Sequence, residues 1–230
     1  MSRLKNMMGA MVAGLFPQLR YAVRAYSSEG EDLILKRIFH AQEEGTYVDV
    51  GAHHPFRFSN TYLFYKMKWR GINIDPMPGS RKLFQKYRPL DTNLELGVSA
   101  TRQELTYAIF NEPALSTFSA DKIREYSSNP QYRVVRRQQV PTWPLADILD
   151  QYLGHTHIDF LTIDAEGLDM EVLRSNNWVK YRPRYVLVES QPLELTRIED
   201  SELCLFMEEV GYRIFAKTYY TYFFKNIHTQ

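Results

Sequence analysis

At 230 residues the chain accommodates one full α/β domain with decoration and excludes a second large domain. Lys plus Arg number 28 against 27 Asp plus Glu, and the resulting net charge of +1 excludes a global electrostatic pull toward nucleic acid. The single cysteine, Cys204, excludes an intramolecular disulfide and a cysteine-built zinc site within one chain; it suits a reducing compartment, so a cytoplasmic location is expected.

The run Met7 to Phe16 is apolar and is flanked by Arg3, Lys5, Arg20 and Arg24. Roughly ten apolar residues cannot cross a bilayer, which needs about twenty. Residues 1–25 are therefore expected to form an N-terminal docking helix, with peripheral membrane contact as a lesser alternative, and residues 26–230 the main domain. Asp32 to His40 has helical apolar spacing, with Glu29 and Glu31 at its start where negative charge is favoured. A buried strand follows over 46–51, then a helix from Ser59 to Lys68 with Ser59 or Asn60 placed to cap it. The second strand covers 71–75, a helix Pro78 to Tyr87, and the third strand Asn93 to Ser99.

The middle breaks this alternation. Glu104 to Phe110 and Arg133 to Thr142 both read as β segments, separated by a polar stretch with a short charged helix. The region 100–142 is expected to be a β insertion, a hairpin plus a loop that either helps shape a substrate pocket or serves as a purely structural flap. Arg133, Arg136 and Arg137 read as a solvated strand face. Regular order returns with a helix Leu145 to Tyr152, a fourth strand over 158–164, a helix Leu168 to Arg174 and a fifth strand Tyr185 to Glu189. The helix Ser201 to Val210 carries Cys204 as a small buried hydrophobe. The last strands, Tyr212 to Ala216 and Tyr219 to Phe224, are too close in sequence for anything but an antiparallel pairing. A mostly parallel seven-stranded sheet that closes in an antiparallel hairpin is the pattern of Rossmann-like class I methyltransferases, whereas NAD-binding domains usually end parallel.

Two acids stand at the ends of neighbouring strands, Asp49 before Gly51 and Asp75 before Pro76. This is how an open α/β sheet holds a nucleoside: the glycine lets the backbone pass close, and the second acid accepts ribose hydroxyls. The nucleoside belongs to S-adenosylmethionine or to NAD. A dinucleotide binder would carry G-x-G-x-x-G to seat pyrophosphate on a helix N-terminus. Here Ala52, His53, His54 and Pro55 follow Gly51 and crowd that seat, which favours the phosphate-free S-adenosylmethionine. A second constellation is Asp164, Glu166 and Asp169, three carboxylates at the end of the fourth strand. Such neighbours raise one another's pKa, and one of them can take a proton from a substrate hydroxyl. The plainer alternative is that Glu166 and Asp169 cap the next helix. Asp164, Glu189 and Gln191 offer oxygen ligands of the kind Mg²⁺ takes, so a Mg²⁺ requirement is an open alternative without an assigned ligand set. The candidate bases are Asp164, then Glu166, then His53. Tyr107, Phe110, Trp143 and the Tyr219–Tyr222 group are either a sugar-stacking wall or ordinary core.

Several blocks together resemble the FkbM-type methyltransferases: Tyr26-Ser27-Ser28-Glu29-Gly30-Glu31-Asp32, Val48 through Pro55, Ser59-Asn60-Thr61, Trp69 through Pro76, Asp159 through Gly167, Arg182-Pro183 and Val188-Glu189. The resemblance implies a Rossmann-like methyltransferase fold, S-adenosylmethionine as donor, and methylation of a hydroxyl, commonly on a sugar or natural product. It implies cofactor contacts from Asp49, Gly51 and Asp75, and from Ser28 and Glu31 of the N-terminal motif. Ala52, His53, Ser99 and Asp164 complete the expected cofactor set. The expectation is thus an S-adenosylmethionine-dependent O-methyltransferase with a small-molecule or glycan acceptor and no nucleic-acid partner. The rival readings are an NAD-dependent oxidoreductase and a noncatalytic binding module on the same fold.

Overall fold

The computed structural model describes residues 17–154, 156–190 and 201–228. The expected helix at Met7 to Phe16 and the residue Gln191 lie outside them. Within 1–25 the described part is a short 3-10 turn, Pro17–Arg20, followed by exposed, irregular chain.

The main sheet has seven strands: β1 (Thr46–Val50), β2 (Arg70–Ile74), β3 (Thr92–Leu94), β7 (Phe160–Ile163), β8 (Tyr185–Glu189), β9 (Tyr212–Lys217) and β10 (Thr221–Asn226). Their spatial order is β3-β2-β1-β7-β8-β10-β9, with β10 antiparallel to both its neighbours and the strands from β3 to β8 parallel. This is the expected mostly parallel sheet with an antiparallel close. The central strands are apolar at almost every position because helices cover both faces. Val48, Val50, Ile72, Leu161, Ile163 and Val186 pack on one face against Leu145, Ile148 and Leu173. Tyr47, Phe160, Tyr185 and Leu187 pack on the other against Leu35, Phe39, Phe64 and Trp69. The period-two alternation of β1 thus puts Asp49 on the aromatic face with Tyr47.

The helices are α1 (Glu31–Ile38), α2 (Tyr62–Lys66), α3 (Ser80–Tyr87), α4 (Ala120–Ser127), α5 (Leu145–Tyr152), α6 (Asp169–Arg174) and α7 (Glu202–Glu209). The second starts later than its sequence suggests. The Ser59 hydroxyl oxygen accepts the N–H groups of Thr61 and Tyr62 at 3.4 and 3.1 Å, so the capping residue stands before a turn, not before the helix itself.

The predicted third strand is broken. β3 ends at Leu94, and Gly97–Val98 (β4) leaves the main sheet to pair with β6 (Val134–Trp143) in a separate sheet of order β4-β6-β5. The break comes at Glu95, whose carboxylate turns outward to accept the N–H groups of Gly79 and Arg81 at the start of α3, at 3.0 and 3.3 Å. β5 (Gln103–Phe110) and β6 form the expected hairpin, and the chain between them holds the 3-10 turn Pro113–Leu115 and α4. That chain is pinned down at Thr117, which exchanges backbone hydrogen bonds with Ala108 at 2.9 and 3.1 Å and donates its hydroxyl to the Glu166 carbonyl at 2.8 Å. The insertion therefore lies over the carboxyl ends of β1, β2 and β7.

Candidate active site

A cleft with about 1040 Å³ of space, counting the part open to solvent, opens at those strand ends. Val50 at the end of β1 and Gly51 after it, Ile74 at the end of β2 and Asp75 after it, Asp164 after β7 and Glu189 at the end of β8 form its floor. Ser116, Thr117 and Phe118 of the insertion form its roof. This is the carboxyl-end crevice where open α/β sheets bind ligands.

Asp75 is buried on the cleft wall. One carboxylate oxygen accepts the His53 N–H at 2.7 Å and the other the Met77 N–H at 2.8 Å. Burial pushes its pKa up to about 6 against those two hydrogen bonds. Each oxygen accepts one of these hydrogen bonds and has capacity for another, as ribose recognition requires. Gly51 has φ 79°, and a Cβ there would fall 1.7 Å from the Asp164 carbonyl oxygen. The glycine is demanded first by the close approach of the β1 and β7 loops, which also brings Asp164 to the cleft.

Asp49 does not line the cleft. It sits behind the wall, accepting the Thr61 hydroxyl at 2.6 Å, and burial raises its pKa to about 6. Thr61 in turn accepts from Arg88 at 3.0 Å. Arg88 is fully buried, ion-paired with Asp91 at 2.9 Å, and donates to the Tyr47 hydroxyl at 2.8 Å. Ala52 is also behind the wall, its N–H on the Ile74 carbonyl at 3.1 Å. Ser99 is buried in the second sheet, bonded to Thr142 at 2.7 Å and to the Thr101 carbonyl at 2.9 Å.

Ser28 does reach the cleft. Glu31 does not; its buried carboxylate accepts the Thr221 hydroxyl at 2.9 Å and the Glu29 N–H at 2.8 Å. Glu29 accepts the Tyr220 N–H at 2.9 Å, and Asp32 accepts the Tyr26 N–H and the Ser27 hydroxyl, both at 2.8 Å. The N-terminal motif is thus a strap fastened to the β9–β10 turn, and Ser28 is the residue it delivers to the cleft.

His53 lines the cleft with a left-handed φ of 51°, and its Nε2 is buried without a hydrogen-bond partner. Burial, helped by the Arg57 charge, lowers its pKa to about 4, so the ring is neutral at physiological pH. His54 turns away and accepts the N–H groups of Phe56 and Arg57 at 3.3 and 3.2 Å.

The acidic constellation gathers as expected. Asp164 shares a hydrogen bond with Glu189, and burial beside that carboxylate pushes Asp164 well above the usual carboxylate range. Glu166 has φ 47°, a conformation rare for a side-chain-bearing residue, and faces the cleft. Burial lifts its pKa to about 7, while a short hydrogen bond from the Tyr126 hydroxyl pulls it back. Asp169 accepts the Ala165 and Gly167 N–H groups at 2.8 and 3.2 Å, so it closes the turn ahead of α6. Among the described residues no group of three or more His, Cys, Asp or Glu side chains is arranged to hold a metal ion.

Tyr126, Phe58, Met77 and Phe118 escape the sequence reading, and no motif marks them. Of the aromatic candidates, Tyr107 lines the cleft, whereas Phe110 and Tyr222 are fully buried core. Trp143 packs under the Arg102 guanidinium, 4.0 Å from its ring centre. Arg136 and Arg137 on β6, and Arg133 just before it, are exposed, as a solvated strand face requires.

The sheet order and the cleft at its carboxyl ends define a methyltransferase-type α/β protein. Residues 49–214 match the Methyltransferase FkbM domain, which is more than half of the chain, and the protein belongs to that family. Among solved structures it is similar to a methyltransferase FkbM from Methylobacillus flagellatus KT, with 12% identity and a TM-score of 0.46, covering 80% of this chain and 44% of that one. The chain therefore spans less than half the length of that relative. It is also similar to a putative RNA methyltransferase from Pyrococcus horikoshii, with 9% identity and a TM-score of 0.43, covering 86% of this chain and 83% of that one. Comparison with curated proteins finds no match. No helix among the described residues is long and apolar enough to cross a membrane.

Proposed function

We propose that the protein transfers a methyl group from S-adenosylmethionine to a hydroxyl of a sugar or glycan. The observation that carries this reading is one cleft lined both by a ribose-type acid and by a proton-accepting acid. Asp75, the apolar Ile74, Met77, Leu96 and Val98, and Asp164, Glu166 and Glu189 all line it. That donor set suits an adenosyl group with a cationic amino-acid tail: hydroxyl acceptors for ribose, an apolar slot for a base, carboxylates for positive charge. The buried, unpartnered Nε2 of His53 is a further polar atom on the wall that a bound ligand would satisfy.

S-adenosylmethionine, when bound, supplies an electrophilic methyl on a sulfonium. The chain's own part is to align the acceptor oxygen and take its proton. Alignment contributes several kcal/mol, and a positioned base about 10²–10⁴-fold. Of the three candidate bases, Glu166 has the pKa suited to neutral pH, at about 7. Asp164 is pushed well above the usual carboxylate range by burial beside Glu189, and His53, at about 4, is a weak base. We therefore assign proton acceptance to Glu166, orientation of the cluster to Asp164, and ribose binding to Asp75.

The NAD reading has less support. Eleven residues separate β1 from α2, and α2 has only five, so no helix N-terminus faces the cleft after β1 to seat a pyrophosphate. Incubation with labelled donor and a glycan panel, with and without EDTA, tests the proposal. Label in a sugar hydroxyl supports it; label in no glycan, or hydride transfer with NADH, refutes it.

A further inference from the structure

A second chamber, with about 1170 Å³ of space counting its open side, adjoins the first and shares Asp164, Glu166 and Glu189 with it. Its outer wall is the insertion helix α4, through Lys122 and Tyr126. Its inner wall is Met170, Leu203 and Tyr220. None of these five residues touches the first cleft, so the chamber has walls of its own.

We propose that this second chamber is the acceptor site, and that it takes a hydroxylated acceptor bearing no phosphate, sulfate or carboxylate near the reacting hydroxyl. The inference rests on the methyl-transfer reading above and adds the location and charge class of the acceptor.

The location follows from Glu166. It lines both chambers, and its left-handed backbone holds the carboxyl at their junction, where an acceptor hydroxyl would meet a donor in the first cleft. The Tyr126 hydroxyl, on the acceptor side, donates to that carboxyl and orients it. The exposed half of Tyr220 and the Tyr126 ring give an amphipathic sugar flat surfaces to lie against.

The charge class follows from the lining. Glu125, Asp164, Glu166, Asp169 and Glu189 face the chamber, and among the described residues that line it Lys122 is the one cation. The Lys122 ammonium is already paired with Glu125 at 3.1 Å. The Asp169 oxygens are turned to backbone N–H groups that an incoming anion would otherwise use. Among the described residues an anionic group placed here meets carboxylates and no unpaired cation, and it should bind about tenfold or more weakly than its neutral counterpart.

The test uses the protein saturated with S-adenosylhomocysteine and two probes, methyl glucoside and glucose 6-phosphate. Saturation-transfer NMR is expected to show the glycoside bound and the phosphate absent, and Met170→Trp, which fills the chamber, should abolish the glycoside signal. A crystal of the same complex soaked with each sugar should show the glycoside between α4 and Met170, and keeps the test decisive if Met170→Trp does not fold. Equal binding of both sugars, a glycoside signal that survives Met170→Trp, or no glycoside in the chamber would overturn the proposal. The S-adenosylhomocysteine density reports separately: its absence from the first cleft would sink the donor assignment, whereas its presence beside an empty second chamber would sink only the acceptor assignment.

Discussion

Glu166→Gln is the perturbation that most sharply separates the role of this carboxyl from mere packing. Glu166 rises from an ordinary 4.5 to about 7 because its surroundings desolvate it. A rise of that size disfavours the ionised form in the folded state by about 3 kcal/mol. One side of the carboxyl opens to the cleft, where solvent screens it, and an effect of about 1–2 kcal/mol is the working expectation. The sign follows from proton counts. The unfolded chain releases this proton near 4.5 and the folded protein keeps it until about 7, so the folded state binds more protons in that window. Stability from this group is therefore lost as pH rises from 4.5 to about 7. Glutamine does not titrate. Asp49, Asp75 and Asp169 are raised as well and slope the curves of both proteins alike, whereas Asp164 is raised in part by Glu166 itself. The difference between variant and wild type therefore reports Glu166 together with its coupling to Asp164. Urea unfolding across the range from about pH 5 to about pH 8 should show Glu166→Gln gaining about 1–2 kcal/mol on the wild type. Turnover should fall about 10²–10⁴-fold. A stability difference that stays flat with pH, or turnover that survives, would refute the reasoning.

Tyr126→Phe removes the hydroxyl that stabilises ionised Glu166, so the acid limb of the kcat/KM profile should move up by about one pH unit; an unmoved limb would show that the two side chains are not coupled. Gly51→Ala puts a methyl 1.7 Å from the Asp164 carbonyl oxygen at φ 79°, and should abolish folding or separate the β1 and β7 loops, read as a lost or strongly shifted urea transition. Arg88→Met leaves Asp91 buried without its ion pair and should cost about 3–5 kcal/mol in urea unfolding, with wild-type-like stability as the contrary result.

The parts of the fold written in local pattern were legible in the sequence. Apolar runs ending on an acid mark β1, β2 and β7, and the short gap after Lys217 forces the antiparallel close. The break between β3 and β4 was not legible, because Asn93 to Ser99 alternates equally well in one sheet or two; the decision lies with Glu95 and the distant N-terminus of α3. The site divides in the same way. Asp75, Gly51, Asp164 and Glu166 meet because each ends or follows a strand of one sheet. Asp49 looks equivalent in sequence, but strand parity sends it to the opposite face, into a network with Thr61 and Arg88. Arg88, just past the end of α3, carries no sequence signal that marks it as the fully buried centre of that network. Tyr126 reaches Glu166 across forty residues of sequence, and only the tertiary path of the insertion brings them together.

The central claim is that the crevice beside Asp75 holds an adenosyl nucleoside, and calorimetric titration tests it most directly. S-adenosylhomocysteine should bind the wild-type protein one to one and NADH should not, and Asp75→Ala should weaken the former by about ten- to a hundredfold, the loss of hydrogen bonds to a charged group. Preferential binding of NADH, or S-adenosylhomocysteine affinity indifferent to Asp75→Ala, would contradict the account.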